Sequence, residues 1–151
     1  MTMNNINFPD FVDQYHLTID NLIRLNITFR QQSEKFRNEL SPTNFSKLYC
    51  TVQANIGRST GSTSYFLRNM TEGALLISYD LVDCETFSKN ANGGIVVNGN
   101  SNTLISSLKA IEKPTLIFID RPSKISEKNM SIIYNVLSSK EILQVFILLG
   151  G

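Results

Sequence analysis

The chain has 151 residues, of which 42% are apolar and 18% charged, and its formal net charge is +1. This composition is typical of one globular domain and excludes a disordered chain. The near-neutral charge also excludes a global field that would recruit nucleic acid. Because no apolar run is long enough to span a bilayer and the N-terminus lacks the features of a signal peptide, we expect a cytoplasmic protein without a membrane partner.

The first segment of the chain predicts a helical arm over residues 1–44. Apolar residues recur at helical spacing after Pro9, and Ser41-Pro42 breaks the pattern. The arm is expected to pack on the core, on a protein partner or on a second copy of the chain. Its basic residues between Arg24 and Arg37 are interleaved with glutamates, which favours a solvated face and leaves nucleic-acid contact open.

Residues 45–151 predict an α/β core that forms one compact domain with the arm. Apolar runs predict strands at 47–55, 74–79, 115–119 and 144–149, residues 95–97 are a short apolar stretch in a Gly/Asn-rich segment, and helices are expected at 62–70, at 104–111 and after Ser126. Continuous apolar strands separated by helices indicate a mainly parallel sheet that is buried on both faces. Cys50 and Cys84 are expected to be reduced residues in or beside strands.

A loop rich in glycine and hydroxyl residues follows the first predicted strand and precedes a helix. It reads Gly57-Arg58-Ser59-Thr60-Gly61-Ser62-Thr63. Glycines let successive backbone N–H groups converge on an anion, and the start of the helix adds further donors and its positive dipole end. The loop resembles the Walker A motif, G-x-x-x-x-G-K-[ST], and in particular the R-x-x-G-K-[ST] form of viral packaging and helicase-like ATPases.

The resemblance assigns roles to residues but also shows departures. Ile56 stands at the first-glycine position and Ser62 replaces the lysine, so Arg58 would supply the missing charge. The apolar strand that ends in Asp120 is similar to the second Walker element. However, Arg121 stands where a water-polarising glutamate often follows in such ATPases.

The resemblance therefore implies a P-loop NTPase type of fold that binds ATP through residues 57–63. Mg²⁺ would be held by Thr63, or Ser62, together with Asp120, and no catalytic residue is assigned, so hydrolysis should be weak or absent. In this fold the strand at 47–55 is expected to be central and adjacent to the strand at 115–120. Their ends would lie within two strand spacings, about 10 Å.

Two other functions remain open. The first is a non-catalytic interaction scaffold derived from such an ATPase. The second is a serine hydrolase, because residues 57–61 also read G-x-S-x-G around Ser59. The only histidine, His16, lies upstream of that serine and is expected to be a surface or packing residue. One histidine and two separated cysteines exclude the usual zinc sites. The asparagine-rich composition points to a phage or another AT-rich source.

Overall fold

The computed structural model describes residues 8–55, 61–140 and 142–151. Its helices are α1 (Phe8–Gln32), α2 (Pro42–Tyr49), α3 (Ser62–Asn69), α4 (Leu81–Ser88), α5 (Leu104–Lys109) and α6 (Glu127–Ser138). Its strands are β1 (Thr51–Ala54), β2 (Ala74–Ser78), β3 (Ile95–Asn98), β4 (Leu116–Asp120) and β5 (Val145–Leu149). Short 3₁₀ turns span Glu34–Phe36 and Pro122–Lys124. None of the helices in this part of the chain has the length and apolar content needed to cross a bilayer.

The five strands form one sheet in the order β1-β5-β4-β2-β3, and every neighbouring pair is parallel. This confirms the predicted α/β class and the parallel sheet. The predicted strand order is wrong, because β1 lies at an edge and β5 separates it from β4. The apolar runs predicted four of the five strands, and β3 formed from the short apolar stretch at 95–97. The pairing of β5 with both β1 and β4 depends on contacts that no local pattern specifies.

The helices cover both faces of the sheet in an arrangement that follows from the handedness of parallel crossovers. The chain moves from β1 through α3 to β2 and through α4 to β3, and then returns through α5 to β4 and through α6 to β5. A right-handed crossover places its helix on one face when the chain moves one way and on the other face when it returns. The apolar clusters agree, with α3 and α4 on one face and α5 and α6 on the other.

Each face of the sheet has its own apolar core. Helix α1 packs with α3 and α4 on the first face, where Tyr15, Ile19 and Phe66 cover the middle strands. Helix α2 packs with α5 and α6 on the second face, with Phe45 and Leu137 among the buried residues. The central strands β2, β4 and β5 are almost entirely buried, as their continuous apolar runs predicted.

The segment before β1 differs from its prediction. Residues 47–49 were predicted to begin a strand, but they form the last turn of α2, and β1 begins at Thr51. The Ser41 hydroxyl accepts a hydrogen bond from the Asn44 N–H, and Pro42 occupies the first turn, so the sequence expected to break the helix starts a new one. The predicted boundary between residues 44 and 45 therefore falls inside α2.

Candidate functional site

The start of α3 differs from the starts of α2, α4 and α6. Those three helices are capped by the side chains of Ser41, Asp80 and Ser126, each of which accepts a backbone N–H of the first turn. Helix α3 is preceded by Gly61, which has a left-handed φ of 100° and no side chain that could cap. The N–H groups of its first turn are therefore left without a side-chain acceptor from the cap, as in helices that bind anions.

A cleft of about 780 Å³ opens in front of this helix start. Gly61, Ser62 and Thr63, which the sequence analysis assigned to the end of a phosphate loop, line it. The guanidinium-bearing residues Arg68 and Arg121 also line it, and neither was predicted to be a binding residue. The other predicted loop residues, Gly57, Arg58, Ser59 and Thr60, lie outside the described residues.

Asp120 lies at the carboxyl edge of the sheet, level with the end of β1. It pairs with Leu149 on β5, and Leu149 pairs in turn with Ala54 on β1. Asp120 is thus two strand spacings, or about 10 Å, from the strand that leads into the loop. The sheet order predicted from the sequence was wrong, but the loop-bearing strand and the aspartate end at the same edge.

The Asp120 carboxyl group is largely removed from solvent, with 4% of the residue exposed. Burial raises its pKa to about 6, Arg121 opposes this shift, and Asp83 adds to it. No described residue donates a hydrogen bond to the carboxylate. A buried carboxylate with this environment gains from a nearby cation, because desolvation penalises its charged form.

Arg121 follows Asp120 in the chain but extends outward. Its backbone is left-handed, with a φ of 48°, and its N–H donates to the Leu149 carbonyl. Its Nη1 atom lies 3.2 Å from the Tyr79 hydroxyl oxygen, to which it donates a hydrogen bond. The Asp120 carboxylate therefore lies on the sheet face that carries α3, whereas the Arg121 guanidinium lies against the Tyr79 side chain. The sequence signalled only a basic residue at this position and not its direction.

Ser78 ends β2 beside the end of β4. Its neighbour Ile77 pairs with Ile119, so Ser78 and Asp120 close adjacent strands on the face that carries α3. The Ser78 side chain is fully buried beside Cys84, whose thiol interacts with both the hydroxyl and the carbonyl oxygen of Ser78. Sequence reasoning did not select it.

The described residues contain no group of three or more His, Cys, Asp or Glu side chains that could hold a metal ion. Of the two predicted Mg²⁺ ligands, Thr63 lies in the first turn of α3 and lines the cleft, whereas Asp120 ends β4 and is not among the described residues that line it. Mg²⁺ in nucleotide sites is usually held by one or two carboxylates together with phosphates and waters.

Asp80 and His16 have structural roles. Asp80 caps α4, with its Oδ1 atom 2.8 Å from the Val82 nitrogen. His16 is 4% exposed, and its Nδ1 lies 3.0 Å from Nη1 of Arg68, which must be the donor. His16 also packs against Tyr65 and is therefore a packing residue rather than a surface one. This burial gives no support to a role as the base of a serine hydrolase.

No family model matches this sequence, and no curated protein or solved structure matches it either. The site is therefore described by its own geometry. It combines an uncapped helix start, two arginines and a buried aspartate at the carboxyl edge of a parallel α/β sheet.

Proposed function

We propose that the cleft at the start of α3 binds a phosphate-bearing ligand, with ATP as the first candidate, and that hydrolysis is weak or absent. The observation that carries this proposal is the helix start at Gly61, whose first-turn N–H groups lack a side-chain cap and border a cleft lined by Arg68 and Arg121. Backbone N–H groups, the positive end of a helix and guanidinium groups all favour a phosphate.

The sheet topology supports the same location. In open α/β sheets, ligands bind outside the carboxyl ends of strands where successive connections leave toward opposite faces. Here β2 continues into α4 on one face and its neighbour β4 continues into α6 on the other. Ser78 and Asp120 end these two strands, and Arg121, which follows Asp120, is among the residues that line the cleft.

Each residue has a defined part in this proposal. The amides of residues 57–63 hold the phosphates, while Arg121, Arg68 and Arg58 neutralise their charge in place of the missing lysine. Thr63 and Asp120 would hold Mg²⁺, whose positive charge would neutralise phosphate charge and favour ionised Asp120. Arg121 occupies the position after the aspartate and cannot accept a proton from water, so the chain offers no general base there.

Isothermal titration of the protein with ATP and Mg²⁺ tests the proposal. We expect modest affinity, and Arg121→Gln and Arg58→Ala should each weaken binding by about 10- to 100-fold, the range for a charge-assisted hydrogen bond. Arg24→Gln is the matched control, because it removes an exposed arginine of α1 and should leave affinity unchanged. Absence of ATP binding in the parent protein would contradict the proposal, as would equal effects of all three substitutions.

The second candidate function is the interaction scaffold, and one surface favours it. Leu25 and Leu48 are 66% and 64% exposed, and they flank β1, which pairs only with β5 among the described strands. Apolar patches beside an unpaired strand edge are typical of association surfaces. Sedimentation velocity over a range of concentrations should then show self-association that Leu25→Lys removes. A monomer at all concentrations, with no ATP binding, would leave both functions without support.

A further inference from the structure

A second cavity lies at the opposite edge of the sheet, where the strands begin. It has a volume of about 340 Å³ and adjoins Cys50 and Gln144, the residues that precede β1 and β5. This volume is within the range of small-molecule sites in proteins. The cavity is separated from the cleft at α3 by the length of the strands, so it is a different site from the one proposed above.

The polar part of this cavity is dominated by a buried guanidinium. Arg30 is 3% exposed, its Nη1 donates to the Gln144 carbonyl oxygen, and it is within hydrogen-bonding reach of the Cys50 thiol. A guanidinium carries five N–H donors, so these two interactions leave three for a ligand. No carboxylate of the described residues pairs with Arg30, whereas buried charges are normally paired.

Arg37 places a second guanidinium at the same cavity. Its only ion pair among the described residues is with Glu34, at 3.0 Å, on a largely solvated surface where such pairs are weak. The Arg37 guanidinium carbon lies 5.7 Å from the centre of the Phe45 ring, which also lines the cavity. Both arginines lower the pKa of the Cys50 thiol, although burial raises it more, so both act on this space as positive charges.

The other residues that line the cavity indicate which chemical groups a bound anion would carry. Asn38, Ser46 and Ser138 provide an amide and two hydroxyls, while Phe45, Pro42 and Ile142 provide apolar surface. We propose that this cavity binds the phosphate monoester group of a small molecule that carries an apolar body. Two guanidiniums with hydroxyl and amide donors match the charge and the three terminal oxygens of a phosphate monoester better than a single carboxylate.

The rate at which the Cys50 thiol is alkylated can be used to detect a ligand in this cavity, because Cys50 lines it. In a Cys84→Ala background it is the only thiol, so its alkylation by iodoacetamide can be followed as a single rate. We expect saturating phenyl phosphate to slow this alkylation about tenfold or more, inorganic phosphate to protect at higher concentration, and phenol not to protect. Cys84 in a Cys50→Ala background should be alkylated at the same rate with and without phenyl phosphate.

Variants of the two arginines complete the test. Arg37→Gln removes the more exposed guanidinium, and Arg30→Lys keeps the charge but loses the planar fork. Each should raise about tenfold the phenyl phosphate concentration that half-protects Cys50 from alkylation. Arg24→Gln should leave that concentration unchanged, and if Arg30→Lys fails to fold, the test rests on Arg37→Gln. The proposal is overturned if phenyl phosphate does not protect Cys50, if phenol protects equally, or if Arg37→Gln has no effect. Benzoate binding as tightly as phenyl phosphate would overturn the assignment to phosphate.

Discussion

Asp120 and Arg121 are consecutive residues in opposite environments, since the Asp120 carboxylate is buried on a sheet face while Arg121 is exposed and its guanidinium contacts Tyr79. The left-handed backbone of Arg121 accompanies this divergence. One turn after β4 therefore holds a buried carboxylate next to an exposed guanidinium. The same turn makes the stability of the protein sensitive to pH, because a buried carboxyl group is costly to ionise.

Asp120→Asn should stabilise the protein at neutral pH. The pKa of Asp120 is raised by burial to about 6 in the folded protein, above its value in the unfolded chain. The folded state then binds the proton more tightly, so the free energy of unfolding decreases as pH rises from about 4 to about 6 and stays lower above that. The substitution should remove this decrease and add about 3 kcal/mol at pH 7.5, at about 1.4 kcal/mol per pKa unit, as measured by urea unfolding at several pH values.

The control for that experiment is Asp13→Asn, which removes an exposed carboxylate from α1 and should leave the pH profile unchanged. The carbon-13 shift of the Asp120 carboxyl group gives an independent readout, with a midpoint near pH 6. A midpoint near 4 would show that the carboxylate is solvated and would contradict the described environment.

Gly61→Ala should destabilise the protein by about 1 kcal/mol, the typical cost of a left-handed residue with a side chain. A Cβ at this position would meet Tyr15 and Val12 at 3.6 Å, which is ordinary packing distance, so the cost is conformational rather than steric. Gly61→Asn should cost less, because asparagine adopts this conformation more readily. Thermal unfolding of the parent protein and the two variants measures their order of stability. Equal losses of stability in Gly61→Ala and Gly61→Asn would argue against a left-handed residue at position 61.

Ser126→Ala should lower the free energy of unfolding by about 1 kcal/mol, because the Ser126 hydroxyl caps α6 by accepting the Asn129 N–H. Ser126→Asp should restore most of the loss, since aspartate is an equally good cap and also favours the positive end of the helix. Ser131→Ala, on the exposed side of the same helix, is the matched control. Chemical denaturation measures the free energy of unfolding of the three variants. A decrease in Ser131→Ala as large as that in Ser126→Ala would contradict the role of Ser126 as the cap of α6.

Purified protein should release negligible phosphate from ATP. Under the proposed function, Arg121 stands where a water-orienting carboxylate would be needed, and Ser62 stands where the Walker A motif that the loop resembles has a lysine. Steady-state phosphate release is compared with Asp120→Ala and Thr63→Ala, which should be indistinguishable from the parent. Robust turnover that both substitutions abolish would make this a working ATPase. Hydrolysis of an ester substrate that Ser59→Ala abolishes would instead support the serine hydrolase.

Much of the secondary structure could be predicted because its signals are local. Ser126 before an apolar periodic segment marks the start of α6, and the apolar run ending in Asp120 marks β4. The error at residues 47–49 is also local in origin, because Leu48 and Tyr49 suit a strand or a helix. The helix is favoured here because Ser41 caps the start of α2 and Tyr49 packs against Phe45.

The candidate site was only partly predictable. Gly61, Ser62 and Thr63 were selected because glycine and hydroxyl residues between a strand and a helix have a known use, and these residues line the cleft. Arg68 and Ser78 carry no sequence signal, since an arginine in a helix or a serine at a strand end is common. They become candidates only through their neighbours in space.

The sequence by itself determined the class of fold, the parallel sheet and the position of a glycine-rich turn, because apolar periodicity and backbone freedom are properties of short segments. Only the tertiary structure decided that β5 lies between β1 and β4, and that Arg30 faces a cavity beside Cys50. Strand order and buried charge depend on contacts between segments far apart in the chain. Such contacts are selected by the packing free energy of the whole domain and not by the preferences of any one segment.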